Sequence, residues 1–309
     1  MIEQGGFDVV SVFNDLFFQP ALVPLLALAR VTSTITLGPA CLNPFTVHPV
    51  EIAGQIAALD AASSGRAYLG LARGSWLDGL GADHAGGPSA VAEAAAVVRA
   101  LLRGKGEPVT GRRFSLPEGS TLKSPPLRDE VPLLIGTWGP VLTGVAASIA
   151  AEVKVGGSAN PAMAPVVRQW LDSAAVTNTT QTGIVLGAVT VVDSDGAAAR
   201  RRARTEAAMY LDVVGALDPT VSLPRELLDA IGAALRTEGP EAAGSLIPDD
   251  VLDVFAFAGT PEQVAEHAIR VLDAGADRVE FGTPHGLSDE RGIELLATSV
   301  LPVVREAFA

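Results

Sequence analysis

Short runs of Val, Ile and Leu recur along the chain, each followed by a longer alanine-rich stretch whose apolar residues return every three to four positions. This alternation predicts βα units around a parallel sheet buried on both faces. Seven strands are expected, at 8–13, 35–42, 67–72, 132–136, 152–155, 183–192 and 278–282. Helices are expected at 20–31, 49–62, 88–103, 141–150, 161–174, 195–214, 261–274 and 289–308. Two helix starts carry clear signals. Thr260-Pro261-Glu262-Gln263 offers an N-cap hydroxyl, a proline at the first helical position and a glutamine at the capping-box site, while Ser288-Asp289-Glu290 offers a hydroxyl and two acids facing the helix dipole. Residues 106–130 read as a hairpin-like insertion and 219–253 as a helical one, within a single domain spanning 1–309.

Seven strands are one short of the eight that close a (β/α)8 barrel. Residues 2–6 read as the last turn of a helix with a Gly-Gly stop, running straight into the 8–13 strand. The expectation is therefore an α/β barrel that lacks its first strand and most of its first helix, with a gap or a partner-filled seam beside the 8–13 strand.

Composition narrows the partners. The 309 residues are 48% hydrophobic and 18% charged, enough to bury a large core. Twenty-two Lys and Arg against 35 Asp and Glu give a net charge of −13, which repels nucleic acid and anionic lipid. The single cysteine, Cys41, makes no internal disulfide, and four histidines without ligand spacing predict no metal site. The apolar stretch at 20–29 is too short to span a bilayer, and no leader is evident. These features predict a cytoplasmic protein.

In such barrels chemistry sits at the carboxyl ends of the strands. The residues in those places are Asn14 and Asp15; Ala40 to Pro44 and His48; Arg73, Gly74, Ser75, Trp76 and Asp78; Thr137 to Pro140; Gly156 to Asn160; and Gly282 to Gly286. Two of these loops are glycine-rich and run directly into a helix, offering free N–H groups and a positive dipole end to a phosphate; tight βα turns explain the same glycines. Asp15 can accept a hydrogen bond from a cofactor ring or cap the next helix. His48, before Pro49, fits a structural role at a helix start better than a catalytic one. His285 sits better, in a glycine-bounded loop, whereas His84 and His267 are expected on the surface. The run Arg200, Arg201, Arg202 and Arg204 reads as a solvated helix face. Trp76 and Trp138 either wall a pocket for a flat ring or pack under loops.

The segment Thr36-Leu37-Gly38-Pro39-Ala40-Cys41-Leu42-Asn43-Pro44-Phe45-Thr46-Val47-His48-Pro49, followed by Ala57 to Asp60 and Ser64-Gly65-Arg66-Ala67-Tyr68-Leu69-Gly70-Leu71-Ala72-Arg73-Gly74, resembles the bacterial luciferase-like superfamily. Within it, the likeness is best to the coenzyme F420-dependent branch that includes methylenetetrahydromethanopterin reductase. Ile135 to Pro140, Ala150 to Val155 and Gly259 to Gln263 extend the similarity over nearly the whole chain.

The resemblance implies an eight-stranded barrel with insertions that binds a flavin or deazaflavin at the carboxyl ends of its strands. It implies a non-prolyl cis bond at Ala40-Cys41, with Ala40, Cys41 and Asn43 backing the ring. Thr137, Trp138 and Gly139, together with Gly156, Gly157, Ser158 and Asn160, match the contacts to a phosphate-bearing tail, and Asp15 matches the family's acid. Leu16 stands where many F420 enzymes have histidine, and Ser75 where an acid is frequent, so Asp78, His285 or Ser75 with a bound water would supply the proton. Arg73 and Lys154 are the expected local cations near the anionic tail. The implied activity is F420-dependent hydride transfer to a small acceptor. The alternatives are an FMN-dependent luciferase-like monooxygenase and a non-catalytic cofactor-binding or structural barrel. A homo-oligomer is expected, both from the family and because an open seam leaves strand edges needing cover.

Overall fold

The structure, a computed structural model, describes residues 2–15, 17–75, 77, 79, 81–174 and 181–309. The chain forms two compact units. One comprises Phe7–Val153 and Ala174–Thr182; the other comprises Met1–Gly6, Lys154–Ser173 and Gly183–Ala309.

In the first unit, strands β1 (Val9–Val12), β2 (Thr36–Pro39), β3 (Leu69–Ala72) and β4 (Leu133–Gly136) alternate with helices α1 (Leu22–Val31), α2 (Pro49–Ala62), α3 (Gly87–Arg103) and α4 (Pro140–Ile149). β1 pairs with β2 in parallel, Val9 opposite Thr36, and β3 with β4, Leu69 opposite Leu133. Isolated bridges at Leu37–Ala67 and Leu42–Leu71 continue the order from β2 to β3. Leu37, Ile52, Ile56, Leu59, Leu71, Leu134 and Ile135 are almost wholly buried, so the strand faces and the inner faces of the helices share one core.

Arg66 closes the C-terminal end of α1. Its guanidinium donates to the carbonyls of Ala29 and Thr32 at the helix end and of Ile35 just before β2. His48 is the N-cap of α2, its Nδ1 accepting from the Val50 amide at 3.2 Å, which is the structural role expected. Residues 106–130 contain the anticipated hairpin pairing, Val109 with Leu116. The amides of Arg112, Arg113 and Phe114 all donate to the Glu93 carboxylate on α3. Burial works against that charge, yet the three amides outweigh it and hold the Glu93 carboxyl below the usual range.

In the second unit, β5 (Glu152–Gly156) arrives from the first and leads through α5 (Met163–Ser173) to the long β6 (Gly183–Val192). Then follow α6 (Gly196–Val214), α7 (Arg225–Thr237), α8 (Pro240–Ser245), α9 (Asp249–Phe255), β7 (Ala256–Gly259), α10 (Pro261–Asp273), β8 (Arg278–Gly286), α11 (Asp289–Leu295) and α12 (Leu301–Ala307). β6 pairs in parallel with β8, Val185 opposite Arg278, and nine of its ten residues are buried. Thr260 and Gln263 form the anticipated capping box at α10.

Several expectations need correction. The described residues form eight strands where seven were expected, and the addition is β7. It hydrogen-bonds to the last four residues of β6, Val189 to Val192. Four residues directly after a helix, with no turn residue between, leave no periodicity to read. β7 lies late in the chain and not ahead of Asp8; among the described residues β1 pairs with β2 alone. The last helix is interrupted by a π-turn at Leu296–Val300, just before Pro302, which has no N–H to continue the ladder. Ser288 makes no side-chain cap. Arg200 and Arg204 are not merely solvated: both pair with Asp249, and Arg200 also with Asp253, fastening α6 to α9. Among the described residues no helix is long and apolar enough to cross a membrane.

Candidate functional site

In the first unit the candidate residues gather where β2, β3 and β4 end. The Ala40–Cys41 bond is cis, as the resemblance implies. Cys41 lies over two glycines of neighbouring strands: a Cβ on Gly136 would come within 2.9 Å of its Sγ, and one on Gly70 within 3.3 Å. Only residues without a side chain let the β2 turn seat so closely. Asn43 is buried, and its Oδ1 accepts from the amides of Phe45 and Thr46 and from the Thr46 hydroxyl, at 3.0 to 3.1 Å. It therefore shapes the turn that follows Cys41.

Arg73 is exposed, and among the described residues no hydrogen bond or ion pair engages it. Asp15 and Ser75 are half-buried at the ends of β1 and β3. The Asn14 Oδ1 accepts from the Ala21 amide at the start of the following helix. Asp78 and Trp76 lie outside the described residues. At the end of β4, Thr137 Oγ1 accepts from the Gly139 amide, and Gly139 is the N-cap of α4. Pro140 opens that helix, so the amides of Val141 and Leu142 have no carbonyl to reach within it. A Cβ on Gly139 would meet nothing within 4 Å, leaving open space over the helix start, and Trp138 beside it is half-buried.

In the second unit the Gly156–Asn160 loop differs from its expected character. The amides of Gly157 and Ser158 both donate to the Gly187 carbonyl, at 2.6 and 3.0 Å, and that of Ala159 donates to Val254. These N–H groups are thus engaged within the protein. The Ser158 side chain is wholly buried, its Oγ accepting from the Asn160 amide, and the Asn160 side chain bonds to Asp218, Thr220 and the Ala162 amide. Gly156 and Gly157 are the half-buried members of the loop, while Ser158, Ala159 and Asn160 are buried.

Lys154 is buried and paired with Glu280 of β8, with Arg278 3.8 Å from the other carboxylate oxygen, so its charge is matched. Gly187, opposite Glu280 in register, leaves room for that pair. His267 is 5% exposed rather than on the surface: it lies on the inner face of α10, its Nε2 on the Ala159 carbonyl at 2.8 Å and its ring against Phe257. His285 has φ 74° and a buried Nδ1 without a hydrogen-bond partner among the described residues. Burial pushes its pKa down, against the opposing pull of Asp289 and the backbone of Phe281 and Pro284.

Sequence reasoning passes over Asp218, Thr220 and Glu280. Asp218 and Thr220 lie 58 and 60 positions from Asn160, and Glu280 lies 126 from Lys154, beyond the reach of a local window.

The profile of the luciferase-like monooxygenase family matches residues 1–278. The chain belongs to this family. A 5,10-methylenetetrahydromethanopterin reductase from Archaeoglobus fulgidus is 27% identical over 318 residues, covering 99% of this chain and 94% of that protein. Among solved structures, the coenzyme F420-dependent tetrahydromethanopterin reductase from Methanopyrus kandleri superposes with a TM-score of 0.83 at 24% identity, covering 97% of this chain and 92% of the other. An F420-dependent secondary alcohol dehydrogenase in complex with an F420–acetone adduct gives 0.73 at 20% identity, over 98% and 92%. The chain shares their fold, the luciferase-like α/β barrel class.

Proposed function

We propose that this protein is a coenzyme F420-dependent oxidoreductase that moves a hydride between the deazaflavin and a small organic acceptor. The observation that carries the reading is likeness along almost the whole chain to methylenetetrahydromethanopterin reductases, including one whose solved structure is named as F420-dependent.

The residues fit such a group. An anionic tail needs cations or free N–H donors, and the first unit has both, in the unengaged Arg73 guanidinium and the open start of α4 beyond Gly139. A polar ring edge needs a partner, and the orphaned Nδ1 of His285 is a buried atom lacking one. When bound, F420 supplies the hydride at its reactive ring carbon.

The protein's own work is binding, orientation and proton handling. Ala40, Cys41 and Asn43 back the ring. On the resemblance, Arg73, Thr137, Trp138 and Gly139 of the first unit are assigned to the tail, and so, separately, are Gly156 and Gly157 of the second. Ser158 and Asn160 hold that loop in shape. Asp15 and Ser75 face the acceptor. Burial favours the neutral form of His285, and its unpartnered Nδ1 is the polar atom it offers to a bound ring. Lys154 balances Glu280 rather than the tail. The reading is completed by a homo-oligomeric, cytoplasmic enzyme.

Equilibrium titration with F420, FMN and the deazaflavin lacking its phosphate-bearing tail tests this. F420 is expected to bind at least tenfold more tightly than either, and the reduced form to be oxidised by a member of an acceptor panel without oxygen uptake. Preferential FMN binding with oxygen consumption would replace it with the monooxygenase reading.

A further inference from the structure

The helical insertion between β6 and β7 reaches back to the glycine loop through one buried carboxylate. Asp218, in the turn after α6, is 3% exposed. A buried carboxylate needs donors, and three surround this one: the Asn160 Nδ2 at 2.8 Å, the Thr220 amide at 2.8 Å and the Thr220 hydroxyl at 2.7 Å. Asn160 is itself 6% exposed. Its Nδ2 also meets the Thr220 Oγ1 at 2.7 Å, and its Oδ1 accepts from the Ala162 amide at 3.0 Å. Both polar atoms of the Asn160 side chain are thus engaged inside the protein, leaving it a latch between the loop and the insertion.

The loop needs one. Gly156 and Gly157 are adjacent glycines, with Gly157 at φ 83°, and glycine does not enforce its own conformation. The Gly187 carbonyl fixes the loop on its strand side by accepting from Gly157 and Ser158. On the other side stand Asn160 and the Val214 side chain, whose Cγ2 would lie 3.3 Å from a Cβ on Gly157. Val214 ends α6, only four residues before Asp218.

We infer that Asp218 is a positioning residue: acting through Asn160, it holds Gly156 and Gly157 in the conformation that receives the anionic tail of the cofactor. The inference rests on the F420 reading for the identity of the ligand. It gives the insertion a task in cofactor affinity, separate from the hydride step.

The test compares Asp218→Ala, Asp218→Asn and the exchanged pair Asn160→Asp/Asp218→Asn in the full-length protein. In Asp218→Ala the Kd for F420 is expected to rise at least tenfold. Affinity for the tail-less deazaflavin, and kcat at saturating F420, should stay within twofold. Asp218→Asn keeps the acceptor for Thr220 but sets one amide donor against another at Asn160, so it should fall between. The exchanged pair restores a donor facing an acceptor and should recover most of the affinity; a purely structural lesion would not recover this way. Hydrogen exchange of the Gly157 and Ser158 amides, which needs no cofactor, should quicken at least tenfold in Asp218→Ala relative to that of Val271. An unchanged F420 Kd in a folded variant overturns the inference. If the wild-type protein takes up no F420, the functional reading fails by itself, and hydrogen exchange alone decides the latch: unchanged exchange rejects it.

Discussion

Removing the Arg128 guanidinium should cost this protein more than any exposed ion pair would. The Asp60 carboxylate on α2 is 1% exposed and receives three hydrogen bonds. Two come from Arg128, through Nε at 2.9 Å and Nη2 at 2.5 Å, and the third comes from the Ala67 amide at 3.2 Å. Arg128 Nη2 also donates to the Ala67 carbonyl at 2.9 Å, so the fork ties α2 to the start of the β3 segment. Arg128→Ala strips two of three donors from a carboxylate that water cannot reach. Breaking a buried pair by removing one partner costs about 3 to 5 kcal/mol. Because Arg128 is one-third exposed, water already screens part of its charge, and about 2 to 3 kcal/mol is the reasoned figure. At roughly 2.1 cal/mol/K per residue, the unfolding entropy of a chain this long is about 0.65 kcal/mol/K, so Tm should fall by about 4 °C. Urea titration and thermal melting followed by circular dichroism give both quantities. Arg128→Lys keeps the charge but not the fork and should lose about half as much. Adding Asp60→Asn to Arg128→Ala removes the stranded charge and should recover about 1 kcal/mol. A loss below about 0.5 kcal/mol for Arg128→Ala would refute the idea that a desolvated carboxylate depends on this partner.

Acid should weaken the protein through His267. Burial lowers its pKa, and of the charges around it Arg270 and Arg200 reinforce the shift while Asp253 and the Ala159 carbonyl oppose it. A histidine whose folded pKa lies below its unfolded value contributes stability above about 6.5, and that contribution is lost as pH falls through this value toward the folded pKa. Urea midpoints measured from pH 7.5 down to 5.0 should therefore drop less in His267→Gln than in wild type; parallel slopes would contradict this. Gly136→Ala should cost about 1 to 3 kcal/mol and weaken F420 binding, because the new methyl would meet the Cys41 Sγ at 2.9 Å and the Ala72 Cβ at 3.2 Å. Adding Cys41→Ala relieves the first contact and should restore most of both, and failure to recover either would show that the strain lies elsewhere.

The local pattern of the chain determined the order of all βα units but that of β7, the helix ends at Arg103 and Val214 and the capping box at Thr260 and Gln263, while a resemblance of ordered motifs pointed to the luciferase-like family. These are legible because periodicity, caps and turn glycines act between residues a few positions apart. The tertiary structure decided what each polar residue meets. Asn160 finds Asp218 58 positions on, Lys154 finds Glu280 126 positions on, and His267 reaches the Ala159 carbonyl 108 positions back. A buried partner and an exposed one look alike in a local window, so the surface expected for His267 was reversed, and the pairings of Lys154 with Glu280 and of the Gly157 and Ser158 amides with the Gly187 carbonyl came into view only in the fold. β7 belongs with them: four residues, Ala256 to Gly259, are a strand only because the far half of β6 offers them an unpaired edge.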